Sequence, residues 1–420
     1  LPRLGDVAVD ARVVLFSLGT ALATGVLFGV LPALHASRAD LNETLKDGLK
    51  GSSGGPGRTR ARQALLVAEV AISLTLLVGA GLMLKSMDRL RSVDPGFRSE
   101  GLVVGGVPLS STKYDSVSAR LAFYDQLHER LRTAPGVERA GFVSALPLSG
   151  SLSITGFWIE GKTPRGDNSQ VPTAYVYAIA GDYFETMEIP LRSGRLFSAT
   201  DRGDAPQVAI VNERLARQEF PGESAIGKRI QLGPPESPYV EIVGVVGDTR
   251  HQGLGDAAPS QLYLPYAQQP FGGMTAVARG RSAPTLGTTL RREVRAVDPD
   301  QPVALLRTMD EVIANGVARP RFITLLLGSF AGLALVLAVV GIYGVVAYSV
   351  AQRTQEFGIR MALGADARRV LSGVVGQAAR VTAIGVAIGA AAALVMSRGL
   401  AELLFEVEAT DPTTYVGIAL

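Results

Sequence analysis

Phe322-Ile-Thr-Leu-Leu-Leu-Gly-Ser-Phe-Ala-Gly-Leu-Ala-Leu-Val-Leu-Ala-Val-Val-Gly-Ile-Tyr-Gly-Val-Val-Ala-Tyr-Ser-Val-Ala351 is a run of 30 residues without a formal charge. At 1.5 Å rise per residue, roughly 20 residues cross a 30 Å hydrocarbon layer. This run is long enough to span with tilt or to project beyond the bilayer. Three further runs qualify as spans. Val13–Leu34 is uncharged, Ala64–Leu84 is interrupted by Glu69 alone, and Val370–Met396 is apolar apart from Gln377 and Arg380. A fifth begins near Thr413. Four such runs in one chain are improbable as buried helices of a soluble core.

The composition agrees. Hydrophobic residues are 47% of the 420, charged residues only 19%, and mean hydropathy is +0.25. Disorder is excluded, because such a chain has ample apolar surface to bury. No Cys is present, which removes disulfide scaffolds, thiolate zinc sites and cysteine nucleophiles together. A net charge of +3 does not point to nucleic acid. The chain begins at Leu1 without an initiator Met and stops inside an apolar run, so it reads as cut at both ends.

Loop charges set the expected orientation. Residues 35–63 carry Arg38, Lys46, Lys50, Arg58, Arg60 and Arg62 against Asp40, Glu43 and Asp47. Residues 352–369 carry Arg353, Arg360, Arg368 and Arg369 against Glu356 and Asp366. By contrast, 398–412 holds Arg398 against Glu402, Glu406, Glu408 and Asp411. The two basic loops are expected in the cytoplasm, and 85–321 with the acidic loop outside. Gly51-Ser-Ser-Gly-Gly-Pro-Gly57 reads as a flexible cytoplasmic linker.

The outside segment mixes β-type runs with helical patterns. Strands are expected at Gly101–Val107, Val137–Ala145, Thr173–Ile179, Gln207–Val211, Val240–Val246 and Ala276–Ala278. Helices are expected at Val117–Leu131, near Asn212–Phe220 with Asn212 as N-cap, and at Thr288–Val297. Asp310 falls in the first turn of a last short helix. With no strict βαβ rhythm, the expected class is α+β, inserted in an α-helical transmembrane bundle. The Gly/Pro-rich stretches at 150–170, 232–238 and 252–260 suggest long connections or a second subdomain.

Most chemical motifs fail. Gly222-Glu-Ser-Ala-Ile-Gly227-Lys228-Arg229 nearly matches a phosphate loop, but Arg229 stands where a hydroxyl must reach Mg²⁺, and Phe220-Pro221 ends a helix just before it. His35, His128 and His251 have no ligand or triad spacing. No catalytic or metal site and no bound cofactor is expected on this chain. Glu69 and Arg380 are intramembrane charges, read as interfacial anchors, as a structural pair, or as part of a pathway. Gly25–Gly29, Gly328–Gly332 and Gly385–Gly389 have the G-x-x-x-G spacing that lets helices approach closely.

The informative segment follows the opening run: Gln352-Arg-Thr-Gln-Glu-Phe-Gly-Ile-Arg-Met-Ala-Leu-Gly-Ala365. Arg353, Glu356 and Arg360 share one helical face, Phe357 and Met361 form an apolar pair beside it, and Gly364 closes the helix. Such a helix docks on a soluble partner or lies on the lipid surface. The pattern itself leaves both open.

In this segment, with Gly358 between its charges, the chain resembles the MacB/FtsX-type ABC transporter permeases, whose loop pattern is close to R-T-x-E-I-G-I-R-x-A-L-G-A. Phe357 is the mild departure. The resemblance continues through Gly341–Val350 and into the outer segment at Asp182-Tyr-Phe-Glu-Thr-Met187, Ala209-Ile-Val-Asn-Glu213, Pro221–Lys228 and Glu241-Ile-Val-Gly-Val-Val-Gly-Asp248. It implies an outer MacB-like periplasmic core domain at 85–318, a span at 64–84 before it, and an FtsX-like permease domain at 319–420. It also implies an ABC ATPase subunit on a separate chain, holding the ATP and docking on the 353–364 helix. Further implied partners are membrane lipid, a second permease half and a periplasmic adaptor. The location implied is the bacterial inner membrane, and the function is export of an unidentified substrate. An FtsX-like regulator of an extracytoplasmic cell-wall hydrolase shares every motif. Residues 1–63 resemble the last span of a preceding unit plus a linker, as in duplicated orphan permeases. Asp10 and Ala8 before the first run match Asp411 and Ala409 before the last.

Overall fold

The computed structural model describes residues 10–37, 56–162, 171–233, 237–270, 272–364, 366–401 and 404–419. The linker residues 51–55, Ala8 and Ala365 therefore lie outside the described residues. Two compact units emerge, one of residues 1–87 with 320–420 and one of Asp88–Arg319.

The first unit is helical. Helix α1 covers Ala11–Ser37, α2 Pro56–Arg91, α8 Ala318–Gln352, α9 Thr354–Ala362, α10 Ala367–Leu400 and α11 Pro412–Ala419. Stretches Arg62–Arg91, Ala318–Gln352 and Arg368–Leu400 are each long and apolar enough to cross a membrane. Pro56 and Gly57, read above as linker, instead open α2. Proline is favoured at a helix start because its missing N–H would be unbonded there anyway.

Helices α2, α10 and α11 and the connection before α11 share a core of Leu74, Val78, Leu82, Ala393 and Val407, with Tyr415 and Ile418 against it. One glycine pair explains how closely α2 and α10 approach. A Cβ on Gly389 would lie 2.7 Å from the Ala71 carbonyl oxygen, and one on Gly385 would lie 2.8 Å from Val70 Cβ. The Thr75 hydroxyl donates across this contact to the Gly389 carbonyl at 3.2 Å. At the other end, Lys85 Nζ donates to Asp411 Oδ2 at 2.8 Å, and Asp411 in turn accepts from Thr414 N at 3.0 Å as α11 begins.

The second unit is α+β, built as one lobe inserted into another. Strands β1 (Leu102–Pro108) and β2 (Arg139–Val143) flank helix α3 (Val117–Thr133) in sequence. Strands β10 (Gly273–Arg279) and β11 (Ala304–Thr308) likewise flank α6 (Ala283–Val297). The four pair antiparallel in the order β11-β1-β10-β2, the ferredoxin-like interleaving of two β-α-β units. Helices α3 and α6 cover one face, burying Phe123, Tyr124, Leu127, Leu131, Leu290 and Val294 against Phe142 and Ala276. Ser116 caps α3 by accepting from Ala119 N. The short helix α4 (Tyr183–Met187) comes so close to β2 that a Cβ at Gly141 would sit 2.5 Å from Tyr183 N.

Between β2 and β10 the chain makes the second lobe. Strands β3 (Ile154–Ile159), β4 (Thr173–Gly181), β6 (Val208–Asn212), β7 (Arg229–Leu232), β8 (Tyr239–Val246) and β9 (Gln261–Pro265) pair in the order β4-β3-β7-β8-β6-β9. A parallel β4–β9 pairing returns to the start, so the six strands close into a ring. Closure removes the unpaired edges that an open sheet would present. Inside it lie Phe157, Ala174, Val176, Val211, Ile230, Val240, Ile242 and Leu262, capped by Leu215 of α5 (Glu213–Glu219). Strand β4 serves both lobes, since its later residues also pair with β2.

Each strand and helix anticipated in this unit is present to within a few residues, but five strands had no sequence signal. The short β5 (Leu191–Gly194) is wholly exposed and shows no alternation; β9 is wholly buried and hemmed by prolines. Strand β11 carries Leu305 at φ +48° and a register shift against β1. Helix α6 begins at Ala283 rather than Thr288, because Pro284 starts it and Gly287 packs under Leu306. Helix α7 (Met309–Gly316) carries Asp310 in its first turn and a reciprocal capping box between Thr308 and Glu311.

Candidate functional site: the loop helix and its neighbours

Helix α9 follows α8 after a single-residue break. Arg353 takes φ −104° and ψ +9° at that junction, so it stands at the N-cap and not in the helix proper. Phe357 N donates to Arg353 O at 2.8 Å, and Gly364 at φ +92° ends the segment by donating to Met361 O at 3.0 Å. Gly358 has open space around it. Glu356 and Arg360 form an i,i+4 ion pair with both side chains about half exposed. Pairs of this kind contribute about 0.3–0.5 kcal/mol, which is too little to hold the helix. Phe357 is half-buried and Met361 exposed, while Ile359 and Leu363 are 58% and 83% exposed. No residue of α9 is buried. The helix thus presents a charged edge and an apolar edge together, with only Phe357 partly covered among its described residues.

The two intramembrane charges do not meet. Glu69 is half-buried where α2 passes α8, and its Oε2 would lie 2.5 Å from a Cβ at Gly341. Arg380 is exposed on α10. Neither forms an ion pair among the described residues, so the Glu69–Arg380 pair is not part of this structure. Helix α10 also runs unbroken from Ala367, so Arg380 lies well inside it and not at its start. Of the glycine pairs, only Gly385–Gly389 is in contact; Gly328 and Gly332 have nothing within 4 Å, and Gly29 lies among α1 residues whose side chains are not described.

The outer unit holds a buried polar hub that the sequence reading missed. Asn212 Nδ2 donates to Asp248 Oδ1 at 2.7 Å and to Pro259 O at 2.9 Å. Its Oδ1 accepts from Leu215 N at 3.1 Å and from Gln261 N at 2.9 Å. Asp248 also accepts from Arg214 N and, at 2.8 Å, from Arg217. Every hydrogen-bonding group of Asn212 is used, so the hub ties β6, β9 and the 247–252 loop together instead of awaiting a substrate. Asn212 was legible as an N-cap; its other three partners are long-range.

His251, 1% exposed, stacks on Tyr177 at 4.5 Å and its Nε2 lies 3.1 Å from Ser151 O. Burial pushes its pKa down to about 4, so the ring is neutral and donates from Nε2. His128 sits over Gly181, 3.5 Å from Asp182 Oδ2. Among the described residues no cluster of three or more acidic or histidine side chains is arranged for a metal. The phosphate-loop look-alike is a surface turn. Lys228 pairs with Glu223 at 2.7 Å, Arg229 pairs with Glu160 as β7 starts, and Gly227 N is spent on Ile242 O.

The segment 64–310 matches the MacB-like periplasmic core domain family, and 328–418 matches the FtsX-like permease C-terminal family. The macrolide export ATP-binding/permease protein MacB of Marinobacter nauticus is 25% identical over 379 residues, covering 88% of this chain and 55% of that protein. The ABC transporter permease YvrN of Bacillus subtilis is 27% identical over 251 residues, covering 54% of this chain and 58% of YvrN. The chain therefore spans about half the length of the curated relatives it matches. Among solved structures, the periplasmic region of MacB from Actinobacillus actinomycetemcomitans aligns at 15% identity and a TM-score of 0.36, covering 54% of this chain and 95% of that one. With the core-domain family matched over more than half its length and the permease family after it, the chain belongs to the MacB/FtsX-type ABC transporter permeases.

Proposed function

We propose that this chain is the permease subunit of an ABC-type export system in the bacterial inner membrane, with no catalysis of its own. A separate cytoplasmic ATPase subunit docks on α9, and the ATP-driven movement passes along α8 to the outer unit. The observation that carries this reading is α9 itself. It joins two membrane-length helices, it buries nothing, and it holds an ion pair too weak to explain its presence. On this reading residues 35–63 and 352–369 face the cytoplasm, and 85–318 with 398–412 face outside. The residues before Ala64 would close a preceding permease unit. In support, Asp10 and Asp411 each cap the apolar helix that follows, accepting from Arg12 N at 2.9 Å and Thr414 N at 3.0 Å. The macrolide named for the MacB relatives is one substrate to try, beside other hydrophobic drugs, peptides, lipids and lipoproteins.

The test is retention of a co-expressed ATPase on purified permease. Removing one partner of a desolvated charge contact costs about 2–5 kcal/mol of binding. Glu356→Ala and Arg360→Ala are expected to lose the ATPase while membrane insertion is unchanged. If α9 instead lies on lipid, Phe357→Ser and Met361→Ser are harmful, the charge changes harmless and the ATPase fully retained. That pattern would reject the assignment.

A further inference from the structure

Helices α2, α8 and α10 enclose a slot with a free volume of about 30 Å³. A buried water takes up about 10–15 Å³ of such volume, so the slot has room for one or two. Much of its wall is aliphatic, but four polar side chains line it as well: Gln63 of α2, Ser349 of α8, and Gln377 and Thr382 of α10. All four are half-buried. None makes a hydrogen bond among the described residues.

The two hydroxyls had a simple bond open to them. Thr20, Thr24, Thr324 and Ser329 each donate to the carbonyl four residues earlier in their own helix. Ser349 and Thr382 leave that bond unmade and line the slot instead. Depth makes this costly. At 1.5 Å per residue, Gln377 and Thr382 lie about 14 and 21 Å along α10 from Arg368, too far in to meet water at the bilayer surface. An unsatisfied polar group in hydrocarbon is expensive, and an apolar occupant would leave all four unsatisfied. Water fits both the volume and the polarity, since each buried water makes about 3 hydrogen bonds.

An entrance is present on the α9 side. There the Arg62 guanidinium lies 4.0 Å from the Tyr348 ring, and the Tyr348 hydroxyl accepts from Gln352 at 2.7 Å. Gln63 and Ser349 come next to these residues in the chain. Beyond Thr382, Gly385 and Gly389 bring α10 directly onto Val70 and Ala71, with no space for water between them.

We propose that the slot is a hydrated joint, in which one or two waters entering from the α9 side hydrogen-bond these four side chains and tie α8 to α2 and α10. The site rests on the membrane reading of the three helices and not on ATPase docking.

The experiment uses the purified full chain in phosphatidylcholine nanodiscs. Pulsed X-ray radiolysis turns water into hydroxyl radicals that oxidise adjacent side chains, and mass spectrometry maps the products. Expected is several-fold more oxidation at the slot residues Leu66, Val70, Val346 and Val381 than at Leu333 and Val336, which are exposed on α8 where lipid covers them. Gln377→Leu with Thr382→Val keeps the approximate shape and removes the hydrogen-bonding groups. That double variant is expected to lose much of the oxidation at Val70 and Val381, and to melt earlier in detergent than the unmodified chain. In a dry slot the same changes remove two unsatisfied groups, and the melting temperature rises. Slot oxidation no greater than at Leu333 and Val336, or a double variant that melts at the same temperature or later, overturns the proposal. The first measurement uses the unmodified chain and decides the matter even if the double variant fails to fold.

Discussion

Substituting Gly389 tests whether the α2–α10 contact holds the membrane bundle together. An added Cβ would lie 2.7 Å from Ala71 O, 2.9 Å from Ala71 Cα and 3.1 Å from Leu74 Cβ, where ordinary contacts begin near 3.4 Å. Two of these are backbone atoms of a helix, so no rotamer change relieves the clash. The helices must part by about 0.7 Å to restore contact distance. That movement loosens the Leu74–Val78–Ala393 core and stretches the Thr75–Gly389 bond, already 3.2 Å long. Overpacking of this kind costs about 1–3 kcal/mol. Against it, replacing glycine by alanine inside a helix gains up to about 1 kcal/mol. For Gly389→Ala the clash outweighs the helical gain, by up to about 2 kcal/mol. For Gly328→Ala, with nothing within 4 Å, only the helical gain remains. The assay is the fraction of detergent-solubilised protein that survives a heating series as a monodisperse peak. Gly389→Ala is expected to melt earlier than the unmodified chain and Gly328→Ala at the same temperature or later. Equal losses from both would refute the reasoning, because they would show that helical glycine matters here for something other than this contact.

Two further outcomes follow from the same structure. His251 has a folded pKa of about 4 against an ordinary 6.5, so the unfolded chain binds the extra proton between those values. Its contribution is complete above pH 6.5 and falls as pH drops toward 4, by on the order of 3 kcal/mol; hydrogen exchange at Tyr177 and Ser151 should speed up over that window, and His251→Gln should flatten the dependence. Because the chain contains no Cys, single substitutions report topology cleanly. In intact cells, with any outer membrane permeabilised, Ser118→Cys is expected to react with an impermeant reagent and Gln355→Cys to be protected, and the reverse would remove the basis for ATPase docking.

Much of this protein is written locally. Long uncharged runs can only be membrane-length helices, because backbone groups in hydrocarbon must bond within their own segment. Short β-type runs marked β1, β2, β4 and β8, and Asn212, Asp310 and Gly364 marked helix ends through short-range chemistry. The 352–365 segment carried a family pattern strong enough to name the class. What the sequence by itself could not settle depends on residues far apart in the chain. The ferredoxin-like order β11-β1-β10-β2 exists only once residues 102–108 and 273–279 are side by side. The closed ring needs the parallel β4–β9 pairing, whose partners lie more than eighty residues apart. Gly385–Gly389 and Gly328–Gly332 are the same motif on the page, and only packing decides that the first meets a neighbour and the second does not. Likewise Glu69 and Arg380 look like a pair in one dimension, yet Glu69 turns toward Gly341 and Arg380 outward. Spacing fixes which face of a helix a side chain occupies, but only tertiary contact decides what that face meets.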